Sequence, residues 1–420
     1  MIPPLIRDIY QHFPISVRRR IQEIRHTGAG LALKLKLKPI RVDACLRGNE
    51  NGLSAAALVR VTGDSRSGSS PISEWPQVKL LRQYDSIGEH IWQPEVFEKT
   101  DYYRNAAFHI ELLGKYFNAI APAEIQEVAR RFVNAYHGRD DNSLPPELPD
   151  DESDPRNVIA VHPVRDAACY QVVEGHHRLA IAYMRGIREV RGLILDPPVT
   201  TPLQDLLHDV LWLNGRQELY QPVDAPEVSK WVLVRRCSDR LAKMTTFLEA
   251  EGLMPADVRS YLDVACSYGW FVSQMERAGF RAEGVERDPV ALSVGKTMYG
   301  LRPEQLHRSD AVTFLAKLQR PYDITSCLSL AHHYILHRQN ITAEELLGLL
   351  DLATRRVLFF DMGQGHEYPG EKLGGWDPDR IHGWLEANTT FSRIVRLGKD
   401  HDAVPPNQHN FGRMLFACLR

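Results

Sequence analysis

The stretch YLDVACSYGWF, residues 261–271, decides the fold of the C-terminal half of this chain. An apolar run ends at Asp263, and a turn of small residues leads from it into a helical pattern. The next apolar run, RAEGVE, ends in an acid at Glu286, 23 residues after Asp263. In nucleotide-binding β-α-β units, an acid at the tip of the second strand hydrogen-bonds a ribose diol, and small residues let the backbone approach the ligand. The spacing therefore predicts a nucleotide-binding strand–loop–helix–strand unit.

The motifs LDVACSYGWF and GVERDP resemble motif I and its successor in class I S-adenosylmethionine-dependent methyltransferases. The family pattern acid-x-Gly-x-Gly-x-Gly falls on four positions of this chain, and Ala and Ser replace two of its three glycines. S-adenosylmethionine carries no phosphate, so losing glycines matters less here than in an enzyme that must approach the pyrophosphate of NAD. The resemblance implies S-adenosylmethionine as the cofactor. It implies that the cofactor-binding residues of this loop and of the following strand are Asp263, Ala265, Cys266, Ser267, Gly269 and Glu286.

Later segments follow in the order of the same family. HRSDAVTFL places Asp310 and Ala311 where the family contacts the adenine, and PYDITSCLSLAHHYI resembles its fourth strand. RRVLFFDMG resembles the fifth strand, and IVRLG with GRMLFACLR resembles the closing antiparallel pair. The resemblance predicts an α/β fold class, with a Rossmann-like seven-stranded methyltransferase sheet over residues 256–420.

Methyl transfer needs alignment of donor and nucleophile, exclusion of water and, for a protonated nucleophile, a base. His333 follows the fourth strand and is the candidate catalytic base, with a packing helix histidine as the alternative. Residues 361–367 follow the fifth strand and lie near the expected methyl group. Arg235, Arg236 and Arg240 either face the donor carboxylate or an anionic acceptor, or form a solvated helix face.

A second motif, EGHHR, spans residues 174–178 between an apolar run and a helical pattern. A glycine followed by hydrogen-bond donors at a helix N-terminus favours phosphate binding. The segment from NVIAVHPV to IREVRGLIL resembles the ParB/sulfiredoxin-like fold, whose Gly-x-x-Arg motif binds nucleotide phosphates, and free-serine kinases of that fold share the GHHR core. The resemblance implies ATP or CTP with Mg²⁺, bound by Gly175, His176, His177 and Arg178. Phosphoryl transfer would need an acid to orient the acceptor hydroxyl, and the candidates are Glu174, the proposed catalytic residue, and Asp166. The alternative is a motif retained as scaffold.

These patterns divide the chain into three parts. Residues 1–200 form an α+β ParB/sulfiredoxin-like nucleotide-binding domain with a basic N-terminal segment and a helical insertion over 74–137. Residues 201–255 form a helical connector, and residues 256–420 form the methyltransferase domain. We also expect two strands between residues 34 and 63 and an acidic, proline-rich loop over 139–155.

The composition and the distribution of charge limit which kinds of binding partner and which cellular location this chain is expected to have. The 420 residues are 44% hydrophobic and 25% charged, with a net charge of −2, which counts against a nucleic-acid partner. Six scattered cysteines without a CxxC pair indicate a reducing, cytoplasmic location and predict no metal site. Residues 1–41 hold nine Lys and Arg against two acids. Residues 18–41 therefore contact an anionic polymer or the inner membrane face peripherally, or they form a solvated basic surface.

The combined motifs favour a kinase–methyltransferase that modifies a glycan or a phosphorylated acceptor in bacterial surface-polysaccharide synthesis. The alternative is a single-activity O-methyltransferase acting on a small molecule or a sugar, whose ParB-like domain only recognises the acceptor. Turnover of ATP distinguishes these two hypotheses.

Overall fold

The structure, a computed structural model, describes residues 37–138, 158–255, 259–336, 341–367, 373–407 and 412–420. The chain divides into two compact units. The first ends at Asp205 and adds Ala225–Lys230, and the second comprises Leu206–Asp224 and Trp231–Arg420. Most of the basic segment and the whole acidic loop lie outside the described residues. No helix in the described ranges is both long and apolar enough to cross a lipid bilayer.

The first unit combines a five-stranded mixed sheet with a set of helices. Its strands pair in the order β1-β5-β3-β4-β2, with antiparallel pairs β1–β5 and β3–β4 and parallel pairs β3–β5 and β2–β4. The elements are β1 (Lys38–Arg41), β2 (Cys45–Leu46), α1 (Ala55–Thr62), α2 (Pro76–Ile87), α3 (Pro94–Phe97), α4 (Asp101–Leu113), α5 (Ile125–Tyr136), β3 (Ala160–Pro163), β4 (Tyr170–Glu174), α6 (His176–Met184) and β5 (Glu189–Ile194). Helix α7 (Pro202–His208) lies at the division between the units.

The predicted helical segment 74–137 is confirmed as α2 to α5, and it shares one core with the sheet. Trp75, Phe132 and Leu179 are buried in the same apolar cluster, although they come from the segment before α2, from α5 and from α6. The segment therefore belongs to the unit's own core and is not a separate lobe.

One strand prediction in this unit is wrong. The run SAAALVRVTGD alternates partly in hydrophobicity, but it forms helix α1. The Ser54 hydroxyl accepts a hydrogen bond from the Ala57 amide at 3.1 Å, and Gly63 ends the helix with φ of 70°. These helix start and stop signals outweigh a short alternation that also fits one buried helix face.

The second unit contains a seven-stranded sheet. Its strands pair in the order β10-β9-β8-β11-β12-β14-β13, and β14 runs antiparallel to both of its neighbours. The elements are β6 (Glu218–Leu219), β7 (Val232–Leu233), α8 (Ser238–Ala250), β8 (Ser260–Val264), α9 (Trp270–Arg277), β9 (Arg281–Glu286), α10 (Pro289–Tyr299), β10 (Leu306–Arg308), α11 (Ala311–Ala316), β11 (Tyr322–Leu328), α12 (His332–Ile335), α13 (Ala343–Ala353), β12 (Thr354–Asp361), α14 (Pro378–Asn388), β13 (Arg393–Lys399) and β14 (Met414–Leu419).

The seven-stranded sheet and the closing antiparallel pair predicted for this half are confirmed. Nearly every residue of strands β8 and β11 is buried, because helices cover both faces of a parallel sheet. All strands from β8 to β12 are parallel, so they end at the same edge of the sheet. This carboxyl edge is where open α/β sheets bind their ligands.

The helical connector predicted over 201–255 is wrong in its middle part. Residues 232–233 form strand β7, paired with β6, and the helix begins only at Ser238. Its first amides are bound by a distant side chain, because the Asp402 carboxylate accepts from the amides of Asp239 and Arg240 at 2.8 and 3.2 Å. The capping residue lies 163 residues after Asp239 in the chain, so the local sequence pattern gives no sign of it.

Candidate functional site

The carboxyl edge of the seven-stranded sheet collects the predicted cofactor residues. Asp263 lies in β8 beside Gly284 of β9, and Glu286 ends β9 opposite Arg308 of β10. Asp310 follows two residues later, so the structure brings the three predicted acids to one edge.

Three alternate residues of the loop after β8 have the left-handed backbone conformation that glycine favours. Ala265, Ser267 and Gly269 have φ values of 62°, 54° and 80°, which lie in the left-handed region. A side chain makes this region unfavourable, and such outliers persist where the surrounding structure over-determines them, often at ligand sites. Ala265 and Ser267 therefore have a glycine-like backbone conformation, although neither is a glycine.

Gln221 holds both ends of this loop and was missed by the sequence analysis. Its side chain is 4% exposed, its amide nitrogen donates to the Cys266 carbonyl at 3.1 Å, and its amide oxygen accepts from the Trp270 amide at 3.2 Å. One side chain thus connects the start of the loop to the start of α9. Its position 45 residues before Cys266 gives no sequence signal for this contact.

Glu286, at the end of β9, binds the backbone of the loop after β8. One carboxylate oxygen accepts from the Ser267 amide at 3.0 Å, and the other accepts from the amides of Arg287 and Asp288 at 2.8 and 3.0 Å. Burial raises the pKa of Glu286, and the hydrogen bonds from these amides partly oppose the rise. A carboxylate has about four acceptor positions, and these three amides leave one for a ligand hydroxyl.

Asp263 is almost fully buried at the base of the loop, with 3% of its surface exposed. The Ser326 hydroxyl donates to its carboxyl at 2.6 Å, and the Tyr261 hydroxyl shares a 2.6 Å hydrogen bond with Ser326. Burial raises the pKa of Asp263 to about 7, although the hydrogen bond from Ser326 and the charge of Arg240 both act to lower it. A positively charged ligand near this carboxyl would favour its ionised form.

The remaining predicted cofactor residues contribute in different ways. The Cys266 side chain is buried, and a Cβ added to Gly284 would lie 2.7 Å from its sulfur, so Cys266 packs against β9. The Asp310 carboxylate accepts from the Thr313 amide at 2.8 Å and caps α11, of which Ala311 is the first residue. The adenine contact of Asp310 and Ala311 stays a prediction.

His332 and His333 lie between the ends of β11 and β12. The buried His332 accepts a hydrogen bond from the Gly363 amide at 3.3 Å through Nδ1, and its ring centre lies 4.2 Å from that of His333. His332 thus connects the segment after β11 to the segment after β12. His333 is partly buried at the carboxyl edge, and its role as a base stays a prediction.

The solvated helix face considered for Arg235 and Arg240 is wrong, because both side chains are buried in ion pairs. Arg240 contacts Asp361 and Asp402, each at 3.0 Å, and Arg235 contacts Asp400 at 3.2 Å. Arg236, between them in the chain, is exposed.

A second buried pair continues this network toward the end of β11. The Arg413 guanidinium binds both carboxylate oxygens of Glu367 at 2.7 and 2.5 Å and donates to the Ser329 hydroxyl at 2.7 Å. The Ser329 amide in turn donates to Asp361 at 2.8 Å. The residues after the fourth and fifth parallel strands are therefore held rigidly by charge-assisted hydrogen bonds.

In the first unit, the histidines of the EGHHR motif face the helices. The His176 ring packs on Trp75 at 5.1 Å, and His177 forms a 2.9 Å hydrogen bond with the Tyr102 hydroxyl among the rings of Phe117 and Phe132. Burial lowers the pKa of both histidines, that of His176 to about 4. Both are neutral near pH 7 and contribute no positive charge there.

The other members of the motif lie at the start of α6. Gly175 has a φ of 100°, and an added Cβ would lie 2.9 Å from Ile159. Arg178 is 9% exposed; its Nη2 donates to the Val158 carbonyl at 3.2 Å, and its buried Nη1 has no hydrogen-bond partner among the described residues. Glu174 is exposed at the end of β4.

A buried carboxylate behind His176 was also missed from the sequence. Glu50 is 1% exposed, pairs with Arg47 at 2.6 Å and accepts from the Gln77 side chain at 2.7 Å. Burial would raise the pKa of Glu50, but the positive charge of Arg47, joined at low pH by those of protonated His176 and His109, outweighs it and lowers the pKa. This cluster connects β2 to the helices inside the first unit.

Comparisons with known proteins give low-identity structural matches. No family model and no curated protein matches the chain. Among solved structures, the bifunctional kinase-methyltransferase WbdD matches 52% of this chain and 46% of its own, with 18% identity and a TM-score of 0.40. The chain thus spans about half the length of the WbdD chains it matches.

Two further solved structures match the chain. Magnesium protoporphyrin IX methyltransferase (ChlM) from Synechocystis PCC 6803 with bound SAM matches 43% of this chain and 78% of its own, at 19% identity and a TM-score of 0.32. The methyltransferase domain of bacterial CtHen1 matches 44% of this chain and 98% of its own, at 14% identity and a TM-score of 0.32.

Proposed function

We propose that this chain is an S-adenosylmethionine-dependent methyltransferase whose donor binds at the carboxyl edge of the seven-stranded sheet. The observation that carries the proposal is the loop after β8, where alternate residues Ala265, Ser267 and Gly269 take left-handed conformations and the Ser267 amide binds Glu286. This arrangement leaves an acid at the tip of the second strand and offers no cradle of glycines for a pyrophosphate.

The residues fit such a donor by charge and by hydrogen bonding. Glu286 retains an acceptor position suited to a ribose hydroxyl. Asp263 lies at the base of the same loop, and its ionised form would be stabilised by the positive charges of the donor. S-adenosylmethionine, when bound, supplies a methyl group on a sulfonium that needs no further activation.

The chain's own residues would orient the reactants. The pair Arg240–Asp361 and the contact of His332 with Gly363 fix the segments after β11 and β12, where an acceptor would lie. For a hydroxyl acceptor, we propose His333 as the general base. Turnover in a His333→Ala variant tests this role, and unchanged activity would remove it.

Binding of the donor tests the function directly. Titration calorimetry should show binding of S-adenosylmethionine and S-adenosylhomocysteine to the wild type and no binding of NAD. Glu286→Ala should weaken binding at least ~tenfold, because a hydrogen bond to a charged group is lost. Glu304→Ala, an exposed acid of the same unit, should bind as the wild type does. If neither methyl-donor ligand binds the wild type, the proposal is wrong.

We propose as a second function that residues 1–200 bind a nucleotide as a ParB/sulfiredoxin-like domain. The supporting observation is Arg178, whose buried Nη1 has no partner among the described residues and which lies three residues after the left-handed Gly175. A buried guanidinium nitrogen normally has an acceptor, and a phosphate oxygen would supply one. With Glu174 and Mg²⁺, this site would phosphorylate a glycan or small-molecule acceptor that the second unit methylates, in bacterial surface-polysaccharide synthesis.

Calorimetry with ATP and then CTP, each with Mg²⁺, tests the second function. Wild type should bind one of them, and Arg178→Ala should not. Arg188→Ala, an exposed arginine of the same unit, is the matched control and should retain binding. If wild type binds neither nucleotide, the protein is a single-activity methyltransferase with an acceptor-recognition domain.

A further inference from the structure

The first unit encloses three histidines around one carboxylate, behind the start of α6. His109 comes from α4, and His176 and His177 are the first two residues of α6. The carboxylate belongs to Glu50, which follows β2 and is 1% exposed. Each imidazole is close enough to Glu50 for the carboxylate charge to favour its protonated form. These four residues form the Glu50 cluster.

The Glu50 carboxylate has no acceptor position left for a further donor. One oxygen accepts from the side chains of Gln77 at 2.7 Å, Asn105 at 3.0 Å and Tyr116 at 3.2 Å. The other oxygen accepts two hydrogen bonds from the Arg47 guanidinium, at 2.9 and 2.6 Å. A carboxylate offers about four acceptor positions, so these donors occupy all of them, and Arg47 already balances the charge.

The histidines have few acceptors for an added proton. Neither ring nitrogen of His109 has a hydrogen-bond partner among the described residues, and Nε2 of His176 also lacks one there. An imidazolium has two N–H donors, and burying such a charge without acceptors is costly. Burial accordingly lowers the pKa of all three histidines, that of His176 to about 4 and that of His177 to about 3, although the charge of Glu50 opposes the shift.

Titratable groups contact the cluster from the elements packed around it. They are Arg47 and Glu50 after β2, Tyr102 and His109 of α4, Tyr116 after α4, and His176, His177 and Arg178 of α6. Helices α2 and α5 contribute the uncharged side chains of Gln77 and Phe132. Among the described residues, Glu50 supplies the single negative charge acting on the histidines, and Arg47 and Arg178 oppose it. Protonation therefore adds to an excess of positive charge.

A strained loop covers one of these histidines. Residues 114–121 follow α4 and form the Phe117 loop. Phe117 has a φ of 51°, which a bulky aromatic residue rarely adopts, and its ring centre lies 4.5 Å from that of His177. Phe117 is 44% exposed, and the hydroxyl of the adjacent Tyr116 ties the loop to Glu50. Such strain persists only while surrounding contacts over-determine the backbone, so loss of these contacts would release the loop.

We propose that the Glu50 cluster is a pH-sensitive switch that opens the first unit in acid. Near neutral pH the histidines are uncharged, and the Phe117 loop packs against the start of α6. As the pH falls, the imidazoles take up protons and leave the core for water, and the loop separates from α6. The inference depends neither on methyl transfer nor on nucleotide binding. Opening would displace Gly175 and Arg178, so acid would also disable the nucleotide site proposed above.

The direction of the pH effect follows from proton binding. A histidine in an unfolded segment has a pKa of about 6.5, whereas the folded pKa of His176 is about 4. Between these values the open form binds protons that the closed form excludes, so the closed form is favoured near pH 7 and loses stability as the pH falls. Each histidine that gains a full proton on opening shifts the opening equilibrium ~tenfold per pH unit.

Hydrogen exchange of the full chain, measured by mass spectrometry, tests the switch. Rates are compared at about pH 7, about pH 6 and about pH 5, after correction for the pH dependence of amide exchange itself. In the wild type, protection of the Phe117 loop and of α6 should fall at least ~tenfold between about pH 6 and about pH 5. Strand β12 of the second unit serves as the internal reference and should change less.

Variants of single histidines identify the titrating groups. His109→Phe removes one titrating ring and no hydrogen bond of that ring to a described residue. Its fall in protection per pH unit should be up to ~tenfold smaller than that of the wild type, and His176→Phe should act in the same direction. His90→Phe, at an exposed histidine of the same unit, is the matched control and should keep the wild-type pH dependence.

Three results would overturn the proposal. The first is unchanged protection of the Phe117 loop and α6 in the wild type down to about pH 5. The second is the same pH dependence in the wild type, His109→Phe and His176→Phe, because opening would then not depend on these rings. The third needs no variant and comes from NMR of the histidine ring protons. Cluster histidines that titrate near pH ~6.5 in a chain that keeps its protection would accept protons without opening.

Discussion

The hydroxyl of Ser326 donates a 2.6 Å hydrogen bond to the carboxyl of Asp263, and both side chains are buried between neighbouring parallel strands. Burial raises the pKa of Asp263 to about 7 despite this bond. The carboxyl at the base of the candidate donor loop therefore changes charge near neutral pH, and both ligand binding and stability should respond.

Affinity for S-adenosylmethionine should increase with pH through the titration of Asp263. The donor is positively charged and favours the ionised carboxylate, so its Kd should fall up to ~tenfold between about pH 6 and about pH 8. Calorimetry across this range checks the expectation. Asp263→Asn should show a Kd with much weaker pH dependence, and an identical pH profile in both proteins would contradict this role.

The same carboxyl should lower stability as pH rises. Its pKa in the folded state is about 7, whereas its ordinary value is 3.8, so between these values the folded chain holds a proton that the unfolded chain releases. The free energy of unfolding of wild type should therefore fall relative to Asp263→Asn, by up to ~1.4 kcal/mol per pH unit in that window. Urea unfolding of both proteins at several pH values measures the difference, and a constant difference would refute the shift.

Removing the two hydrogen bonds of the Gln221 side chain should disturb the candidate donor loop. Gln221→Leu leaves the Cys266 carbonyl and the Trp270 amide without their partner, and we expect a loss of ~1–3 kcal/mol in the free energy of unfolding. Binding of S-adenosylhomocysteine should weaken as well. Gln274→Leu, on a partly buried position of α9, is the control for a change of side-chain polarity alone.

The two replaced glycines should be a source of strain in the loop. Ala265→Gly relieves a left-handed φ of 62° and should stabilise the protein by ~0.5–1 kcal/mol, since the gain exceeds the entropy that glycine adds to the unfolded chain. Gly269→Ala should destabilise by more than ~1 kcal/mol, because its Cβ would lie 2.7 Å from Leu301 at a φ of 80°. Thermal unfolding measures both, and equal effects of the same sign would contradict this account.

The buried pair Arg240–Asp361 should be sensitive to loss of either partner. Arg240→Met leaves Asp361 buried without its 3.0 Å partner and should cost ~3–5 kcal/mol. Arg396→Ala removes a pair with Asp379 in which both side chains are well exposed, so its effect should stay within ~1 kcal/mol. Similar losses in both variants would show that burial does not decide the strength of the Arg240 pair.

Elements with a strong local pattern could be predicted from the sequence. Strands β8 and β9, with Asp263 and Glu286 at or next to their last residues, and the Gly175 turn follow from periodicity and from the residue types that turns require. The resemblance to methyltransferases implied the order of the later strands. Helix α1 could not be predicted, because its short Ala-rich run fits both the 3.6-residue period of a helix and the two-residue period of a strand. Nothing in the local sequence reveals that side chains of helices α4 and α5 contact the EGHHR histidine His177, and the nucleotide-binding role of the motif stays a prediction.

By itself, the sequence determined the strand–loop–helix–strand unit from β8 to β9, because hydrophobic periods, acids at strand ends and small residues in turns are local features. The resemblance to methyltransferases implied the seven-stranded sheet. The tertiary structure alone decided the environment of those residues. Gln221 reaches Cys266 across 45 residues and Arg240 reaches Asp361 across 121, and the pKa of Asp263 depends on how deeply these contacts bury it. Burial and charge pairing arise between segments far apart in the chain, so they exist only once the chain has folded.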